Sequence, residues 1–207
     1  MPGKQHSIVF HLFDVLFNII IIVAIVAAIR TFVVSPFQVE GNSMVDTLEH
    51  KQYIIINKLA YLIGDPERGD VVVFRPPGNP RKHYVKRVIG LPGDEVVIRN
   101  GKVSLRTAGS DEMIELEEPY LNAGNAGHTY QHPPAGGNTA EIRYAVPENG
   151  YFLLGDNRKG SLDSRSFTAS DGAPLSFVPR KSVKGRVWFV ALPLTKIHAL
   201  ELPDYGF

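Results

Sequence analysis

Between Val15 and Ile29 the only polar side chain is Asn18, and Phe32–Val34 carries the apolar run past Arg30 and Thr31. A bilayer core is crossed by about 20 mostly apolar residues in helical form. Val15–Val34 reaches that length once Arg30 sits near an interface, its stem in apolar surroundings and its head in water. Two other readings of the run stay open. A cleavable secretory signal needs a small-residue cleavage site, and Ala27-Ala28 supplies one. A buried core helix is the other, but a segment apolar on every side has no face to offer water. Length and continuity favour a spanning anchor. Lys4 stands on one side of the run and Arg30 on the other, so charge barely specifies orientation. A short cytoplasmic tail over 1–14, an anchor over 15–34 and an extracytoplasmic body over 35–207 is the expected arrangement.

The body reads as strands and turns. Val71–Phe74, Tyr84–Ile89, Glu95–Ile98, Lys102–Leu105, Tyr151–Leu154 and Arg186–Leu192 are short and rich in branched or aromatic residues. Asn100-Gly101 between two of them signals a hairpin, because both positions tolerate positive φ. Leu91-Pro92-Gly93-Asp94 marks another turn. The pattern predicts a mainly β protein built of antiparallel sheet. From about 107 to 144, repeated Gly, Pro and Asn predict a loop-rich insertion. His128 and His132 lie there, without a third ligand at recognisable spacing, and read as loop residues, not as a metal site.

Lysines and arginines number 22 against 21 aspartates and glutamates. This balance excludes nucleic acid as the main partner, because phosphate binding needs a large basic excess. Cysteine is absent, which leaves the redox compartment open.

Hydrolytic chemistry with a hydroxyl nucleophile needs an adjacent base. Ser43 follows the extended segment Phe37–Glu40, and Gly41 lets the chain turn sharply before it. Val45 breaks the Gly-x-Ser-x-Gly pattern, so Ser43 is not on that nucleophile elbow. On a strand over Tyr84–Ile89, Tyr84, Lys86 and Val88 share a face. Lys86 is then flanked by apolar side chains, which is what a neutral lysine base requires: a solution amine has a pKa of about 10.4, and burial lowers it. Taken alone, Ser43 is a turn residue and Lys86 an edge lysine. No histidine forms a compact motif with a serine and an aspartate; His83, for one, points away from Lys86 across the strand. Gly155–Arg165 is dense in polar groups, and Asp163 and Arg165 are spaced to pair.

Several segments arrive in one order: the apolar run, Gly41-Asn42-Ser43-Met44, Arg68–Phe74, Tyr84–Asp94 ending in Leu-Pro-Gly-Asp, Gly155–Arg165, and Phe177-Val178-Pro179. In that order they resemble the type I signal peptidase family, Ser/Lys enzymes that remove signal peptides from exported proteins. The resemblance runs from the anchor to about Leu192 and omits most of the loop before Tyr144. It implies Ser43 as nucleophile, Lys86 as general base, Ser161 as the hydroxyl that orients the amine, and Asp163–Arg165 as the supporting ion pair. Phe37, Val39 and Val85 would line pockets for small side chains, and the Ser43 N–H would donate to the oxyanion. It further implies exported preproteins and membrane lipid as partners, with no cofactor and no metal. Met1–Ser7 lacks the Arg- and Ser-rich character of a transit peptide, which favours a bacterial plasma membrane over an organelle.

Two positions depart from the family pattern. Gly41 stands where some members carry a serine that completes the oxyanion hole, and Asp46 stands where proline is usual. An inactive scaffold of the same fold is the competing reading. The Ser/Lys self-cleaving repressors are a third, and the anchor argues against them.

Overall fold

The computed structural model describes residues 8–45, 47–130 and 141–205. Met1–Ser7, Asp46, His132, Pro133-Pro134 and Gly136-Gly137 lie outside the described residues. The first element, α1, is a helix over Ile8–Ala28 that continues as a wider π-helical turn over Ile29–Val33. It starts earlier than the apolar run alone indicates. His11 and Asp14 interrupt the run in sequence, but they do not stop the backbone from hydrogen-bonding through them. Phe10–Val33 is long and apolar enough to cross a membrane, and none of it is buried against the body.

The body is antiparallel sheet, and the mainly β expectation is met. Its strands are β1 Val34–Gln38, β2 Tyr53–Asn57, β3 Val71–Phe74, β4 Tyr84–Gly90, β5 Glu95–Arg99 and β6 Lys102–Arg106. They continue with β7 Ile114–Glu115, β8 Ile142–Ala145, β9 Gly150–Leu154, β10 Val178–Pro179, β11 Val183–Leu192 and β12 His198–Ala199. A four-residue helix, α2, spans Ala60–Ile63. The larger sheet runs β1-β2-β11-β3-β4-β9-β10, with β12 pairing β11, and the smaller runs β7-β6-β5-β8. β4 and β9 are neighbours in the larger sheet, so the smaller sheet is an excursion that leaves after β4 and returns before β9.

Both faces of the central strands are covered, which is why they read as unbroken apolar runs. Val71 and Val73 pack with Val39, Met44, Ile54 and Val187 on one side. Val72 and Phe74 pack with Val88, Leu153 and Phe167 on the other. The smaller sheet has its own core, in which Val96, Ile98 and Leu105 meet Phe152 and Leu154 of β9. The hairpin between β5 and β6 turns where expected, with φ of 51° at Asn100 and 78° at Gly101.

Among the described residues, the stretch from 107 to 130 is loop apart from β7, yet part of it is anchored firmly. The Arg158 side chain is 0% exposed and pairs with Glu118. It also donates to Thr129 Oγ1 at 2.6 Å and to the Gly155 carbonyl at 3.1 Å. Arg165 adds a bond to the Tyr130 carbonyl at 2.8 Å. A surface loop is thus tied to the segment 155–165. Removing one partner of a buried pair strands a charge, at a cost of about 3–5 kcal/mol. Glu118→Ala is therefore expected to lower unfolding free energy in urea by about that amount. Glu118→Leu combined with Arg158→Met is expected to recover a large part of it.

Candidate active site

β1 is continued by Val39, whose N–H donates to the Gln52 carbonyl at 2.8 Å and whose carbonyl accepts from the Lys51 N–H at 2.8 Å. The chain then turns at Gly41, where φ is +90°. Met44 and Leu48 drop into the core at 1% and 0% exposure, and this pins the turn while Ser43 stays half-buried. Lys86 sits on β4 opposite Val72. Its Nζ lies 2.6 Å from Ser43 Oγ and donates to the Val85 carbonyl at 2.8 Å. The Tyr84 ring lies 5.6 Å from the amine, as the shared strand face requires.

Burial pushes the Lys86 amine down to about 8, against the opposing pull of the Asp163 and Asp156 carboxylates and with further help from Arg165. Those carboxylates pull weakly because each is already engaged. Arg165 grips Asp163 at 2.8 and 2.7 Å, and Arg87 grips Asp156 at 3.0 and 2.7 Å. Burial raises the Asp163 carboxyl, but the charge and hydrogen bonds of Arg165, the Gly155 N–H and the nearby Ser161 hydroxyl together hold it below the usual range.

Ser161 is 2% exposed, and its Oγ forms no well-aligned hydrogen bond, although it lies near enough to influence Asp163. The bond to the Lys86 amine expected of Ser161 is not made; Nζ is directed at Ser43 and Val85 instead. Gly155 makes the cluster compact. A Cβ there would lie 2.1 Å from Ser161 Oγ and 2.5 Å from the Ser43 carbonyl oxygen, so no other residue fits.

Two positioning residues escape a sequence reading. The Asn157 N–H donates to the Ser43 carbonyl at 3.1 Å, and its Nδ2 donates to the Asn42 carbonyl at 3.0 Å. Its Oδ1 accepts from the Gly160 N–H at 3.0 Å. The Asn-x-x-Gly spacing is a turn signal that hints at this last bond only. Nothing in the sequence indicates His50, whose Nδ1 accepts from the Gly41 N–H at 3.1 Å.

A cleft of about 700 Å³ opens beside the pair, with Phe37, Val39, Val73 and Val85 among its walls and Gly41, Ser43 and Lys86 at its base. Two strand edges bound it. β1 ends the larger sheet, and β9 reaches β4 only from Arg87 onward, which leaves Tyr84–Lys86 unpaired on that side. His83 faces the cleft with its ring 5.4 Å from Phe37. His128 is half-buried, with Nδ1 2.8 Å from the Ala126 carbonyl. Among the described residues no group of three or more His, Cys, Asp or Glu is arranged to hold a metal ion. The amine's environment is directly measurable. With lysines labelled at Cε, Lys86 is expected to titrate by NMR at about 8. A midpoint at the ordinary lysine value means the amine is hydrated and the site is not as described.

The family model "Signal peptidase, peptidase S26" matches residues 12–192. A signal peptidase I of Pseudomonas fluorescens is 33% identical over 88% of this chain and 73% of its own length. Signal peptidase I S of Bacillus subtilis is 34% identical over 86% of this chain and 88% of its own length. A crystal structure of a signal peptidase I from Enterococcus faecalis is 30% identical, with a TM-score of 0.44 over 60% of this chain and 98% of that one. A match across most of the chain, with relatives at this identity, makes the chain a member of the S26 peptidase family, whose serine peptidases remove signal peptides.

Proposed function

We propose that the chain is a membrane-anchored serine endopeptidase that removes N-terminal signal peptides from exported preproteins by a Ser43/Lys86 dyad through an acyl-enzyme. The observation that carries this reading is the 2.6 Å approach of a nearly fully buried amine to a half-buried hydroxyl at the base of an apolar cleft. With Nζ neutral, Ser43 Oγ attacks the scissile carbonyl and Lys86 takes its proton. The C–N bond then breaks as the ammonium returns the proton to the leaving amine. Water, deprotonated by the same amine, releases the acyl group and restores Ser43.

The Ser43 N–H finds no acceptor among the described residues and is the donor we assign to the developing oxyanion. Gly41 brings no side chain, so a second donor has to come from elsewhere. The carbonyls of Asn42 and Ser43 are both bonded to Asn157, which fixes the orientation of the peptide planes at the nucleophile. Ser161 and the Asp163–Arg165 pair act behind the dyad by keeping the amine enclosed and the nearby carboxylate neutralised.

The two open strand edges favour an extended substrate, which adds main-chain hydrogen bonds along the cleft while its alternate side chains enter the walls. Phe37, Val39 and Val85 narrow those walls and favour small-x-small cleavage sites. α1 supplies the anchor, with the body on the extracytoplasmic side. The inactive-scaffold reading gains nothing here, because the amine and hydroxyl are aligned and not dispersed.

The test is cleavage of a preprotein by the detergent-solubilised full chain. Ser43→Ala and Lys86→Ala are each expected to be inert, and cleavage that survives Lys86→Ala refutes the dyad. The base must be unprotonated, so kcat/KM is expected to fall as pH drops below about 8, the value to which burial brings Lys86. His50→Ala removes one exposed hydrogen bond and is expected to lower kcat by about 2–10-fold. His50→Asn, which can still accept from Gly41, is expected to restore part of that loss.

A further inference from the structure

We propose that the segment 201–205 is a strap whose Tyr205 acts as a positioning residue for the peptidase reaction by sealing the Arg87–Asp156 pair behind the dyad. The inference rests on Lys86 being the general base. The family match ends at residue 192, so the strap lies beyond it. After β11 the chain turns through Leu194–Lys196 and returns as β12, with His198 paired to Val190 and Ala199 to Phe189. The Leu200 N–H then donates to the Trp188 carbonyl at 3.0 Å, and the chain leaves the sheet toward Gly69. Glu201, Leu202 and Asp204 are exposed, and Pro203 is half-buried. Tyr205 is only 7% exposed and joins the core of the smaller sheet.

Two contacts set the strap against Arg87, the residue that follows the base. Pro203 and the Tyr205 ring lie over Gly69, where φ is +91° and an added Cβ would sit 2.8 Å from Pro203 Cδ and 3.2 Å from the Tyr205 ring. The Gly69 carbonyl accepts from Arg87 Nη1 at 2.9 Å. Tyr205 also meets the Tyr120 ring edge to face, with centroids 6.3 Å apart, and Tyr120 lies over the Arg87 guanidinium. Arg87 is thus boxed between a carbonyl and a ring that the strap backs, and its Nε and Nη2 are directed at Asp156.

Asp156 connects this box to both halves of the dyad. Its Oδ2 accepts from Thr47 Oγ1 at 2.5 Å, just past the turn that carries Ser43, and Asn157, next in the chain, holds the Ser43 carbonyl. Its charge also reaches the Lys86 amine, which faces Asp163, Asp156 and Arg165 together with the Ser43 hydroxyl and the Tyr84 ring. The groups facing the Arg87–Asp156 pair are Thr47, Glu118, Tyr120, Arg158 and Tyr205. Water admitted where the Tyr205 ring stands would loosen Arg87 from Asp156 and hydrate the space behind the amine. A freer carboxylate and a wetter amine both favour the ammonium. Loss of the ring therefore raises the pH at which the base becomes available.

The test compares Tyr205→Ala with Tyr205→Phe, which keeps the ring, in the full chain in detergent. For Tyr205→Ala the acid limb of kcat/KM on a preprotein is expected to move up from about 8 by about half a pH unit, a roughly 3-fold loss of rate below it. At about pH 10, above both midpoints, the rate is expected to return to the wild-type value, a recovery that general damage to the fold would not give. With lysines labelled at Cε, the Lys86 amine is expected to show the same upward shift by NMR. Tyr205→Phe is expected to follow the wild type in both readouts. A rate lowered equally at every pH overturns the proposal, and so does an unchanged profile or a Tyr205→Phe that shifts as far as Tyr205→Ala. Should the alanine variant fail to fold, Pro203→Ala, which thins the cover over Gly69 from a half-buried position, is expected to move the limb in the same direction by less. No movement there overturns the proposal too. An amine that shifts by NMR while the acid limb stays fixed upholds the link from the strap to Lys86 and overturns Lys86 as the base.

Discussion

The organisation of the body depends on keeping one amine out of water beside one hydroxyl. Bringing Lys86 from an ordinary lysine value to about 8 represents roughly 3 kcal/mol of disfavoured charge, which the surrounding fold must absorb. It does so with β-sheet covered on both faces. Lys86 stands opposite Val72, whose side chain is 0% exposed, and is followed on its own face by Val88, also 0% exposed. Carboxylates lie close enough to re-stabilise the ammonium, but the fold blunts them by giving each its own arginine. The geometry of Asp163 with Arg165 and of Asp156 with Arg87 thus serves a neutral lysine as much as it serves stability.

The same pairs tie the smaller sheet to the site. Arg87 stacks on Tyr120 at 3.9 Å while it grips Asp156, and Arg158 holds Glu118 and Thr129 from inside the segment that clamps Ser43. Tyr205, near the C-terminal end, packs against Tyr120. Three stretches distant in sequence therefore meet behind Ser43. A perturbation of the excursion after β6 is coupled to the segment Gly155–Arg165 through buried, bonded charges.

Proximity of the site to the helix foot follows from strand geometry. β1 begins at Val34, where the helix ends, and Ser43 lies only a strand and a turn beyond it, roughly 20 Å at about 3.3 Å per residue along the strand.

The sequence by itself determined what depends on local order and covalent neighbours. The apolar run, the hairpin at Asn100-Gly101, the alternation that sets Lys86 with Tyr84 and Val88, and the ordered motifs around Ser43, Lys86 and Gly155–Arg165 were all legible in it. The helix start at Ile8 was not, because a helix tolerates the polar His11 and Asp14 that end an apolar run. β2 reads as an apolar stretch of only five residues, and β7, β10 and β12 are two-residue pairings; such short elements exist only because partners elsewhere complete them. The tertiary structure alone decided the 2.6 Å approach across 43 positions of chain and the hydrogen bonds of Asn157 and His50 around it. Each joins residues whose separation in sequence carries no information about distance, and only the pairing of strands converts one into the other.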